Sequence, residues 1–119
     1  MNDNLLIEHL LSRLELYGDP IPVAQAMYLG NEDNYVVYSL QGSSEPFFSD
    51  DKMVIWKNYY DVDIYSKRYL APIATQVRSI LEEGGFDWQP SRGSGDLYEP
   101  DTGYHHRTLC FLKLYQEVR

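Results

Sequence analysis

The residues able to do chemistry in this 119-residue chain are the pair His105-His106, the single cysteine Cys110, and the acidic pairs Asp61/Asp63 and Glu82/Glu83. A zinc site needs three or four convergent ligands. Neighbours in a strand point to opposite faces, so His105 and His106 do not reach one ion easily, and His9 lies far away on a helix. A solvated or hydrogen-bonded pair is expected, and no metal. Cys110 beside a histidine and an acid could make a thiol nucleophile, but it sits inside the apolar run Leu109 to Leu114. That position predicts a core cysteine with an inert thiol. Glycoside chemistry needs one carboxyl in an apolar pocket and a second facing it across the substrate. Asp61/Asp63 read instead as acids on an open sheet face, and Glu82/Glu83 as a solvated helix end. Arg92-Gly93-Ser94-Gly95 is followed neither by a helix nor by the lysine and hydroxyl of a phosphate loop, so it reads as a turn. No catalytic residue and no cofactor site is expected, and a hydrolase built on Cys110 or His106 is the least favoured reading.

The elements that would position these groups fit in one domain, since a second core would be too small to hold itself together at this length. Hydrophobic residues at 44% and charged residues at 24% allow a packed core. The formal charge of -8 repels phosphate backbones and anionic lipid surfaces. One cysteine cannot close an internal disulfide, and Met1-Asn2-Asp3-Asn4 lacks the basic flank and apolar run of a secretion signal, which points to an intracellular protein. No apolar run approaches the roughly 20 residues that cross a bilayer, so a soluble protein is expected.

From Asp3 to Tyr17, Leu6, Ile7, Leu10, Leu11, Leu14 and Tyr17 recur at helical spacing, with Asp3 or Asn4 to cap the start and Gly18 to end it. Val23 to Leu29 and Tyr35 to Leu40 read as strands around the turn Gly30 to Asn34, and a hairpin is the simplest connection. Gln41 to Asp51 reads as a loop that nevertheless carries Phe47 and Phe48. The clearest strand runs from Lys52 to about Ser66; its even-numbered face is the more apolar and should meet the helices. A second helix fits Leu70 to Glu83, stopped by Gly84-Gly85, and then come a short strand at Phe86 to Gln89, a loop, and a long strand from Tyr104 to Val118. The order α-β-β-β-α-β-β predicts an α+β fold, an antiparallel sheet of about four strands with two helices packed on one face.

Eleven tyrosines, four phenylalanines and two tryptophans are a heavy aromatic load for such a core. Aromatic rings are over-used at protein interfaces because they bury large area at small entropic cost. Phe47, Phe48, Tyr59, Tyr65 and Tyr98 do not fit inside a two-helix core and are the aromatic interface candidates.

Several stretches, taken in order, resemble the small tail-completion or tail-terminator proteins of long-tailed bacteriophages and of prophages in Gram-positive bacteria. They are the N-terminal amphipathic helix, Pro22-Val23, Asn34-Tyr35-Val36-Val37-Tyr38, Tyr60-Asp61-Val62-Asp63-Ile64-Tyr65-Ser66-Lys67, Leu81-Glu82-Glu83-Gly84-Gly85-Phe86, Asp96-Leu97-Tyr98-Glu99 and Asp101-Thr102-Gly103-Tyr104-His105-His106. The resemblance covers nearly the whole chain and lies in order and spacing, not in a chemical motif. It implies one non-enzymatic domain over residues 1–119. Such a protein forms a homo-oligomeric ring, usually a hexamer, on the head-proximal end of the tail tube. The implied partners are further copies of itself, the tail tube protein and the head-side connector. DNA passes through the lumen unbound, no membrane is involved, and the protein resides in the host cytoplasm during assembly and in the virion tail afterwards. The loops at about 41–51 and 90–103 become arms toward neighbours, adding Asp50, Asp51, Glu99 and Asp101 to the interface candidates. The other reading is a small host or prophage module that binds a ligand or a protein as a monomer or dimer.

Overall fold

In the computed structural model, which describes residues 3–44, 47–48, 53–68 and 70–118, the chain order opens with α1 (Asn4–Leu11), β1 (Glu15–Leu16), β2 (Asp19–Pro20) and β3 (Val23–Gln25). It continues with β4 (Asn34–Ser43), β5 (Phe47–Phe48), β6 (Met53–Ser66), α2 (Leu70–Glu83), β7 (Asp87–Trp88), β8 (Leu97–Glu99) and β9 (Tyr104–Val118). The class is α+β with two helices and a mostly antiparallel sheet, as expected. The sheet has more strands than foreseen: among the described residues β3, β4, β6, β9 and β7 lie side by side in that order, β5 adds to β6, β8 adds to β9, and β1 and β2 form a separate hairpin.

β6 and β9 form the spine, in antiparallel register from Met53↔Val118 to Ser66↔His105. Alternation along β6 sorts its side chains as predicted: Val54, Asn58, Tyr60, Val62, Ile64 and Ser66 are buried, while the odd-numbered residues are half-buried. The even face carries the core. Tyr60, Val62 and Ile64 pack there with Ile7 and Leu11 of α1, with Ile73, Val77 and Leu81 of α2, and with Phe86 and Phe111. Both helices therefore cover one face, and each fully buried side chain of this size stabilises by about 1.5–3 kcal/mol. The two buried polar residues on that face are satisfied, Asn58 by the Ser43 hydroxyl at 2.6 Å and Ser66 by donating to Asn34 Oδ1 at 2.5 Å.

The first helix is shorter than its periodicity predicts. It ends at Leu11, and Asp3 stands at its N-cap without a side-chain bond. The chain then makes the β1–β2 hairpin across Tyr17 and Gly18, whose φ values of 52° and 84° are those of a tight type I′ turn. Gly18 is thus a turn residue and not a helix stop. Leu14 still reaches the core from extended chain, which is why the apolar spacing looked helical to the end.

The expected hairpin between the next two strands is also corrected. β3 runs parallel to β4, with Val23 opposite Val36 and Gln25 opposite Tyr38. Strand geometry stops at Gln25, Ala26 takes a left-handed φ of 65°, and residues 26–33 carry the chain back to the start of β4. A turn-rich segment of that length can reverse direction twice, and composition does not distinguish one reversal from two. The loop at 41–51 is partly strand: β4 continues to Ser43 past an irregularity between Leu40 and Gly42, and Phe47 and Phe48 pair with Ile55 and Val54. Within 90–103, Leu97–Glu99 pairs with Tyr104 to His106, a strand the sequence did not announce. No helix among the described residues is long and apolar enough to cross a membrane.

Candidate functional site

The face of the sheet opposite the helices holds the candidate chemical groups. Register places Tyr35, Tyr65 and His106 side by side across β4, β6 and β9. Their rings stack at 4.6 Å and 4.3 Å, and Tyr28 extends the row by stacking on Tyr35 at 4.3 Å. Tyr104 closes the end of this ladder edge-on to Tyr35 at 5.3 Å, with its hydroxyl donating to the Glu32 carbonyl at 2.5 Å. Burial, helped by the neighbouring Tyr65 and Tyr104 hydroxyls, pushes the Tyr35 phenol up to about 12. The ring faces are spent on one another, so the ladder offers edges and hydroxyls to a partner, not open stacking platforms.

Two rungs further along, Asp63 Oδ1 accepts from the Thr108 hydroxyl at 2.5 Å and lies 3.1 Å from His106 Nε2. Two rungs beyond that, Asp61 lies opposite Cys110. The Arg92 guanidinium stacks over the Tyr59 ring at 4.0 Å. Gly93 makes this cover possible: a Cβ there would stand 2.3 Å from the Thr108 carbonyl oxygen. Burial, and then the charge of Asp63, raises the Asp61 carboxyl above its ordinary value. Burial likewise pushes the Cys110 thiol up. Two expectations change here. Cys110 is buried, but on the second face under residues 90–95 and not in the helix-covered core. Asp61 and Asp63 are half-buried, and Asp63 is hydrogen-bonded, so neither is freely solvated.

Cys110 and His106 share this face but stand four residues apart in one strand, about 13 Å at the strand rise, too far for one to take the other's proton directly. His105 and His106 face opposite sides, as their pairing with Ser66 and Tyr65 requires. Among the described residues no group of histidine, cysteine or carboxylate converges as a metal site. A cleft of about 790 Å³ lies where the β1–β2 hairpin meets residues 31–34, and Asp19, Glu32, Asp33 and Arg68 line it.

A second feature is the end of the spine away from the helices. Among the described residues the helical core takes Tyr60, Val62 and Ile64 from β6 and Leu109 and Phe111 from β9, and reaches no further toward Met53 and Val118. The strands run on as a blade, and the molecule measures 52 × 26 × 23 Å. Alternation puts Val54, Trp56 and Tyr115 on one side of the blade, and Phe47, Ile55 and Leu114 on the other. Phe47 and Leu114 are 43% and 45% exposed. The outer edge of β9 is paired by β8 at Tyr104 to His106 and by β7 at Phe111 and Leu112. From Lys113 onward it has no strand partner among the described residues.

The interface candidates scatter over both features. Phe47 lies on the blade, with Lys57 Nζ 5.7 Å from its ring centre. Phe48 pairs with Val54, and its side chain lies outside the described residues, as do Asp50 and Asp51. Tyr59 is roofed by Arg92, and Tyr65 is enclosed between Tyr35 and His106. Tyr98 is exposed on β8 against His105 at 4.8 Å. Glu99 accepts from the Thr102 hydroxyl, and Asp101 is exposed in the turn that follows. Leu114 and Tyr115, the other half of the blade, were missed. Their signal was the length of the last strand, longer than any helix-covered sheet could use. Compared with models of known protein families and with curated proteins, the chain matches none.

Proposed function

We propose that this chain is a non-enzymatic assembly subunit that joins a ring at the head-proximal end of a phage tail tube and forms part of the joint to the head. The observation that carries this reading is the blade. Two strands extend past the layer of helices, with Phe47 and Leu114 exposed on one side and Trp56 and Tyr115 half-buried on the other. A blade of this kind is costly to leave in water and is covered when a neighbouring subunit packs on it. The family resemblance supplies the setting, and the self-satisfied hydrogen bonds of the second face fit a scaffold role for Asp63, His106 and Thr108. The acidic balance, -8 for one copy, is suited to a lumen through which DNA moves without adhering.

The test is electron microscopy of phage particles assembled without this gene product. Free heads beside tails of abnormal length are the expected outcome, restored to virions when the wild-type protein is supplied. Normal virions in its absence would remove the assignment.

A further inference from the structure

We propose that the open edge of β9 from Lys113 to Glu117 is a docking site for the same segment of a second copy, paired antiparallel about a two-fold axis at Tyr115. This goes beyond the tail reading and does not depend on it. An unpaired strand edge presents a row of backbone N–H and C=O groups and is a template for another strand. Among the described residues β9 leaves such an edge from Lys113 onward, after β7 lets go at Leu112. The order Lys113-Leu114-Tyr115-Gln116-Glu117 is complementary to its own reverse. With Tyr115 opposite its counterpart, Lys113 of each copy stands opposite Glu117 of the other, twice per dimer, and opposite charges directly across an antiparallel pair stabilise it. Among the described residues neither Lys113 nor Glu117 has an ion-pair partner within the chain.

The side chains fit the same axis. Lys113, Tyr115 and Glu117 are opposite Asn58, Trp56 and Val54, so all three lie on the helix side of the blade. Pairing there would bring both copies of Tyr115 and Trp56 together in an apolar centre with a charge pair at each flank. On the other side Leu114 meets Gln116. No other register of this segment against itself places both charge pairs and an aromatic centre together. Such a contact is isologous: it joins two copies and stops. Neighbours in a ring of higher rotational symmetry cannot use it. The dimer is therefore a closed pair in which the blade edge of each copy is covered by the other.

Sedimentation velocity over micromolar to millimolar concentration tests this with Lys113→Glu, Glu117→Lys, the double exchange and an equimolar mixture of the two single variants. The wild type is expected to dimerise. Each single exchange turns two attractions into two repulsions and should weaken the dimer by about tenfold. The double exchange and the mixture should restore it, the mixture as a heterodimer. A second readout does not rely on charge: oxidised Tyr115→Cys should form a disulfide-linked dimer, because only a two-fold at this residue sets position 115 beside itself, and Gln116→Cys should not. A wild type that stays monomeric throughout, a double exchange that fails to restore association, or cross-linking at 116 in preference to 115 would each overturn the proposal. None of these results bears on particles assembled without the gene product, so the tail reading stands or falls separately.

Discussion

Asp61 and Asp96 show how the same side chain acts in opposite directions. Asp61 is half-buried beside Asp63, and its carboxyl holds a proton to higher pH in the folded chain than in the unfolded one. Its contribution to stability is therefore present at low pH and lost as the pH rises through that raised value. Asp61→Asn should melt roughly 2–5 °C above the wild type at neutral pH, with the gain vanishing below the ordinary carboxylate range, as read from thermal unfolding across pH. Asp96 is the reverse case. The hydrogen bond from Arg107, at 2.5 Å, lowers its carboxyl, so its contribution is present at neutral pH and lost on acidification. Gly93→Ala should destabilise by about 1–3 kcal/mol in denaturant titration, because the new methyl meets the Thr108 carbonyl at 2.3 Å and lifts the cover from Cys110. Ala26→Gly should instead stabilise by about 1 kcal/mol, since a φ of 65° strains alanine and not glycine. Single residues were only partly legible beforehand. The apolar run around Cys110 announced its burial, but which face it occupies follows from the register with Asp61, a long-range fact absent from local composition.

At the level of elements, β6, α2 and β9 were readable because each is specified by its own period: two for the strands, helical spacing for α2, with Gly84-Gly85 as its stop. The elements that escaped are those whose identity depends on a partner distant in the chain. The direction in which β3 pairs is set by Val36 to Tyr38, β8 is a strand through Tyr104 to His106, and the end of α1 is set by the hairpin that follows it. Of the candidate surface, the rings of Phe47 and Phe48 were visible as misplaced aromatics in a polar segment, whereas the blade they join required the pairing with Ile55 and Val54. Replacing Phe47 and Phe48 together by serine should leave the isolated chain folded, with an unchanged far-ultraviolet circular dichroism spectrum, and reduce incorporation into tails. Unfolding would make the pair part of the core instead.

For the whole molecule the acidic excess sets what it avoids. At -8 per chain, duplex DNA should show no mobility shift with the protein at physiological salt. A retarded band would contradict an unbound passage of DNA. Shape decides the rest. The fourteen rungs between β6 and β9 join the helix-covered body to the blade in one continuous ladder. If a neighbour grips the blade while another part holds the body, tension runs along the strands and loads every rung together instead of opening them one after another. The body and its handle then behave as a stiff lever, and a tug at the joint reaches the helices undiminished.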